Sequence, residues 1–211
     1  PVNEMMPRAP PATEEAADYL IYNGQSTSPI NSGNIPSTEQ LQSLFQHAIQ
    51  LWSETALTQQ QLAVLNTLTV QLESLPDNVL GEARANTILI DIDAAGNGWF
   101  IDTSPEDNHE FTLDTDHGLL MATQDSEAQG RVDLLTTLLH EIGHTIGYGH
   151  EDDLAVMAST LSAGERALFT NVDDLAAAQQ GYINSHLVSG SADSQVADFS
   201  FAADDARDII I

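Results

Sequence analysis

The sequence predicts a single α+β domain, and three observations carry that prediction. Residues 41–52 space their apolar side chains as a helix does. Several short stretches between residues 68 and 123 alternate apolar with polar. Residues 131–147, RVDLLTTLLHEIGHTIG, then return to helical spacing and carry two histidines on one face. Helices that bracket a run of strands give an α+β layer arrangement.

The elements follow in chain order. Residues 1–36 are rich in Pro, Asn, Ser and Gly and read as a linker, in which YLIYNG (Tyr19 to Gly24) marks a short strand. Ser37 with Gln40 is a capping box. Leu41, Leu44, Phe45, Ala48, Ile49 and Trp52 then form the stripe of an amphipathic helix. A second short helix is expected from Thr58 to Leu65. Leu68, Val70 and Leu72 alternate as in a strand, Pro76-Asp77-Asn78 turns, and Ile88, Ile90 and Ile92 alternate again. Gly96-Asn97-Gly98 leads into a strand at WFID, and Phe111 to Leu113 and Leu119 to Thr123 complete the strand candidates. On a wheel of the last helix Leu135, Leu138, Leu139, Ile142 and Ile146 share one side. Asp133, Thr137, His140 and His144 share the other, away from the expected core.

Composition narrows the function classes. Five Lys+Arg against 32 Asp+Glu give a formal net charge of -27. Such a chain repels nucleic acid and anionic membrane, so neither is an expected partner. There is no cysteine among the 211 residues, hence no disulfide and no thiolate ligand or nucleophile. No apolar run is long enough for a membrane span, and PVNEMMPRAPP lacks the features of a signal peptide. The start without Met points to a piece of a longer chain.

The chemistry is concentrated in HEIGHTIGYGH, His140 to His150. His140 and His144, four residues apart on a helix, stack their imidazoles on one face, close enough to share an ion. Gly147 can adopt positive φ and turn the chain sharply, so that His150 returns to the same point. Three neutral imidazoles with an open fourth position describe a catalytic zinc site. Glu141 lies 100° around the helix from His140. There it can reach a water activated by zinc without ligating the metal, take its proton as the water attacks a carbonyl, and pass it to the leaving amine.

The full pattern HExxHxxGxxH is far more specific than HExxH, and it resembles the signature of the metzincin zinc peptidases. That family carries a methionine turn beneath the zinc after the third histidine, and here DLAVMAST places Met157 seven residues past His150. The short spacing resembles matrixins in particular. Leu41 to Trp52 resembles the family's N-terminal-subdomain helix, and Thr170 to Gly181 its C-terminal helix. The resemblance implies a metzincin-like (zincin) catalytic domain over residues 37–183. In it a mixed β-sheet packs on an active-site helix, and a small C-terminal subdomain carries His150 and Met157. Residues 1–36 and 184–211 are then an N-terminal extension and a C-terminal tail. GNGWFIDTSP, RVDLLTTLLHEIGHTIGYGHE and VMASTLSAGERAL also resemble metalloprotease-like modules of large bacterial surface or secreted proteins. This implies a secreted or bacterial cell-surface location within a larger multidomain chain.

The implied function is a zinc endopeptidase acting on protein or peptide substrates: zinc on His140, His144 and His150, Glu141 as general base, and Met157 as the structural methionine. Two alternatives stay open: an inactive zinc-binding spacer or binding module, and a self-processing protease. The chain also departs from the family. The propeptide cysteine that holds matrixins latent is absent, and nothing in residues 1–36 clearly replaces it. The segment that builds a second, structural zinc site in matrixins is not matched. His109 and His117 read as surface residues rather than its remnants, and His47 and His186 as solvent-facing. Asp91, Asp93, Asn97 and Asp102 surround a glycine-rich turn as a candidate structural Ca²⁺ site, although turn formation explains the same residues.

Overall fold

Ser37 opens the first helix as its sequence predicts: its hydroxyl accepts from the Gln40 N–H, and the Gln40 side chain accepts from the Ser37 N–H. Reciprocal capping satisfies two N–H groups that have no partner within a helix. The computed structural model describes residues 19–24, 34–114, 119–152 and 154–168. In chain order these form β1 (Tyr19–Tyr22), α1 (Thr38–Ser53), α2 (Gln59–Leu65), β2 (Thr69–Glu73), β3 (Val79–Arg84), β4 (Thr87–Asp91), β5 (Trp99–Phe100), β6 (Phe111–Asp114), β7 (Leu119–Ala122), β8 (Val132–Asp133), α3 (Leu134–Thr145), a 3-10 turn (Ala155–Met157), β9 (Thr160–Leu161) and β10 (Glu165–Arg166). The expected helix over Thr170 to Gly181, the tail with His186, and His117 lie outside the described residues.

The main sheet has five strands in the order β2-β4-β3-β1-β9. β2 and β4 are parallel, β4 and β3 antiparallel, β3 and β1 antiparallel, and β1 and β9 parallel. Smaller pairings join β10, β7 and β6, and β5 with β8. α1 and α3 pack together behind the main sheet. Their core includes Leu41, Leu44, Phe45 and Trp52 from α1, Leu135, Leu138, Leu139 and Ile142 from α3, and Leu80, Ile88 and Ile90 from the sheet. Burying an aliphatic or aromatic side chain of this size contributes about 1.5–3 kcal/mol, so this shared core fixes α3 firmly against its neighbours.

Two features differ from the sequence reading. β1 is a full member of the sheet, so a boundary at residue 37 leaves out a strand the sheet contains. The polar face of α3 is also largely covered: Asp133, Thr137 and His140 are buried and His144 half-buried, and Glu141 beside them is 0% exposed. The wheel shows only the helix itself. β1 and the 3-10 turn cover its second face, and they come from distant parts of the chain.

A buried ion network clamps the chain after the turn to the start of α3. Asp133 caps α3, its carboxylate accepting from the Thr136 N–H at 3.0 Å. Arg166 reaches the same carboxylate through Nε at 3.0 Å and Nη2 at 2.8 Å, and Asp102 through Nη2 at 2.8 Å. Its guanidinium lies over the Phe111 ring, 4.4 Å from the centroid. Burial alone would lower the Arg166 pKa. Asp133 and Asp102 outweigh it and raise the pKa above its ordinary value, so the cation is permanent.

Candidate metal centre

The site begins at the end of α3. Gly147 takes φ of +96°, which ends the helix and turns the chain. The Tyr148 N–H donates to the Gly143 carbonyl at 3.0 Å and the Gly147 N–H to the His144 carbonyl at 3.1 Å. This is the Schellman arrangement, which a glycine in left-handed conformation makes possible. The turn brings His150 back beside the helix.

Three imidazoles converge there. Nε2 of His144 lies 2.9 Å, and Nε2 of His150 3.3 Å, from Nε2 of His140. Among the described residues, His140, His144 and His150 form the group of side chains spaced to hold a metal ion. Backbone carbonyls aim two of the rings. His140 Nδ1 lies 2.8 Å from the Val156 oxygen and His144 Nδ1 lies 3.0 Å from the Tyr148 oxygen. A carbonyl only accepts, so in each ring Nδ1 carries the proton and Nε2 turns its lone pair to the common centre. Burial, first of all, and the neighbouring His144 and His150 push the His140 pKa down to about 3, against the opposing effect of the Val156 carbonyl. A neutral imidazole is the form that ligates a metal, and an all-nitrogen set of three suits zinc with a position left open.

The supporting residues come from elsewhere in the chain. The Trp52 indole N–H donates to the Leu139 carbonyl at 2.9 Å, and its ring stacks on Tyr148 at 5.0 Å between centroids. Trp52 thus steadies both α3 and the loop between the second and third histidines. Met157 is fully buried, its sulfur against Gly143. Glu141 is also fully buried, and its Oε1 accepts from the Leu20 N–H of β1 at 3.0 Å. Gly81 on β3 leaves room for it, because a β-carbon there would lie 2.7 Å from Glu141 Cγ. The sequence marked Trp52 as apolar stripe and Met157 as the methionine of the turn. The Val156 and Tyr148 carbonyls, Gly81 and Leu20 carried no such signal, since backbone groups and strand neighbours are set by tertiary pairing.

The family profile of the matrixins, peptidase family M10, matches residues 28–183. The chain belongs to the matrixin family. Searches of curated proteins and of solved structures gave no match. This matrixin is therefore a zinc-metallopeptidase-type domain, with the mixed α+β architecture of a metzincin.

The calcium expectation finds no support in the structure. The Asp91 carboxylate accepts from the N–H groups of Leu75, Ala95 and Asp93, Asp93 from Gly96, and Asp102 from Ser104 and Arg166. The Asn97 amide donates to the Ala94 and Ala95 carbonyls. These side chains hold the turn together. Their work there is substantial, because Ala94 and Ala95 both carry positive φ, at 57° and 53°. His109 is on the surface, paired with Asp107, as expected. His47 is half-buried on α1, not solvent-facing. Among the described residues no helix is long and apolar enough to cross a membrane.

Proposed function

We propose that this matrixin domain is a zinc-dependent endopeptidase. His140, His144 and His150 hold the ion, Glu141 is the general base and later the proton donor, and Met157 supports the histidines from below. Zinc in such a site supplies Lewis acidity, which acidifies water to near neutrality and polarises a carbonyl. The chain's own residues do the rest. The Val156 and Tyr148 carbonyls hold two rings in the ligating tautomer. Burial keeps His140 neutral. The observation that carries the reading is that the Glu141 carboxylate, next to the first histidine, already lies 3.0 Å from a backbone N–H in an extended strand. Once it has taken up the proton of the attacking water, a carboxyl group placed there can give that proton to an amide nitrogen as its bond breaks.

The test is digestion of casein by the wild type and Glu141→Ala side by side, both loaded with zinc. Cleavage by the wild type alone is the expected result. Equal cleavage by the variant would remove Glu141 from the mechanism. The reading extends to a secreted or bacterial cell-surface protein, supported by the resemblance of GNGWFIDTSP and VMASTLSAGERAL to modules of such proteins.

A second reading has one observation in its favour: β1 covers Glu141. In that reading the domain is an inactive spacer or binding module stapled by zinc. Its signature is one bound zinc per chain, a large stability loss on chelation, and no hydrolysis by any variant that uncovers the site.

A further inference from the structure

β1 lies in the sheet between β3 and β9, with β3 antiparallel and β9 parallel to it. Strands sit about 4.8 Å from their neighbours, so without β1 these two edges would face each other across a slot one strand wide. Such a slot takes an extended peptide by backbone pairing on both sides. β1 fills it in that way. The Ile21 N–H donates to the Ser159 carbonyl at 3.1 Å, Tyr22 to Asn78 at 2.8 Å, and Asn23 to Leu161 at 2.8 Å. The floor of the slot is α3, at Glu141.

Leu20 is the residue in register with that floor. Its N–H meets Glu141 Oε1 at 3.0 Å, and it pairs with Gly81, the residue whose missing side chain admits Glu141. Its own side chain is buried beside a cavity of about 30 Å³ bordered by Val156, Leu161 and Ala167. Val156 is also the residue whose carbonyl aims His140, so the pocket and the histidine cluster share a wall. The pairing with β3 shifts register between Leu20 and Ile21, a bulge beside the buried carboxylate. One backbone nitrogen, one side-chain pocket and one carboxylate are thus aligned as for a bound peptide substrate.

We propose that Tyr19–Tyr22 is a tethered substrate of this site and that the Tyr19–Leu20 peptide bond is cut in cis. The inference rests on the endopeptidase reading. Water adds across the bond. Its oxygen joins the Tyr19 carbonyl carbon, the C–N bond breaks, and a proton passes by way of Glu141 to the Leu20 nitrogen. The products are a Tyr19 carboxylate and a new amino terminus at Leu20. Until the cut, the segment keeps other peptides out of the slot, a role that needs no cysteine.

The experiment follows the full chain with zinc and labelled casein in one tube, by intact mass, amino-terminal sequencing and casein fluorescence. Wild type, Glu141→Ala and Leu20→Asp are run together with a synthetic peptide of residues 17–24. The wild type is expected to lose residues 1–19, to expose Leu20 before casein hydrolysis begins, and to cut the peptide between Tyr and Leu. Glu141→Ala stays whole. Leu20→Asp stays whole at this bond, and a peptide with the same change is not cut, which decides the matter even if the full-length variant folds poorly. Casein hydrolysis by a wild type that stays intact at Tyr19–Leu20 overturns the proposal and leaves the endopeptidase reading standing. So does casein hydrolysis by Leu20→Asp alone, which makes the segment a plug that is never cut. If no sample cuts anything, the endopeptidase reading falls and the proposal with it.

Discussion

Gly143 faces the sulfur of Met157 so closely that a β-carbon built on the glycine would lie 2.5 Å from it. The pair links the last turn of the histidine-bearing helix to the turn that follows the third histidine. From the same β-carbon, Trp52 Cζ2 would lie 3.1 Å away. Met157 is fully buried and cannot swing aside into solvent.

Gly143→Ala is therefore expected to destabilise the domain, although alanine favours helices. Overpacking of this kind costs about 1–3 kcal/mol. Because the turn also carries the Val156 carbonyl that aims His140, zinc affinity should fall with stability. Thermal unfolding with and without zinc checks both. A double-mutant cycle with Met157→Ala should show coupling between the positions; additive effects would mean that the contact is not the cause.

Arg166 is the cation of a buried network, with 0% of its side chain exposed. Replacing it with Met leaves two buried carboxylates, Asp133 and Asp102, without their cation. Breaking one partner of such a network typically costs about 3–5 kcal/mol. Arg166→Met should unfold at clearly lower urea concentration, and Arg166→Lys should recover little, because one ammonium cannot replace a fork bonded to both carboxylates. A midpoint equal to wild type would show that the clamp contributes nothing.

Much of this was legible in the sequence, and the exceptions have a common cause. α1 announced itself through its capping box and its apolar stripe, and α2 forms where a short helix was expected, opened by a box of Thr58 with Gln61. The alternation of Ile88 and Ile90 gave β4. The histidine spacing and Gly147 gave the geometry of the site, because helix period and positive φ are local properties. β3 was hidden, since VLGEAR puts Gly81, Glu82 and Ala83 where alternation would show. The two-residue strands β9 and β10 are too short to carry a pattern. The burial of Glu141 depends on β1, which lies about 120 residues away, as the separation of 121 between Leu20 and Glu141 shows. Arg166 looked like one of five scattered basic residues, and its partners lie 33 and 64 residues away. Local signals reveal elements; they do not reveal what will cover them.

Acid should weaken the metal-free protein through His140. In the unfolded chain a histidine takes up its proton near pH 6.5, whereas folded His140 does not until about pH 3. Between these values the unfolded state binds the extra proton. This contribution costs nothing above pH 6.5 and grows as pH falls below it, by about 1.4 kcal/mol per pH unit. Other groups titrate too, so the comparison is with His140→Gln. In chelator-treated samples, wild type should lose stability relative to the variant between pH 7.5 and 5.5. A constant difference would mean that His140 protonates normally in the fold.

Gly147 separates backbone strain from steric clash. Its φ is +96°, yet a β-carbon on it would meet nothing within 4 Å. Gly143 is the reverse case, a helical glycine with a crowded neighbourhood. Gly147→Ala should therefore cost about 1–2 kcal/mol from backbone conformation alone. Its larger effect should be on zinc, because the Schellman turn at Gly147 is what returns His150 to the other two histidines. Competition with a chelating dye should show weaker zinc binding in Gly147→Ala, and Gly147→Asn, which tolerates positive φ better, should lie between it and wild type. Wild-type affinity in the alanine variant would mean that the loop reaches His150 into place without the left-handed turn.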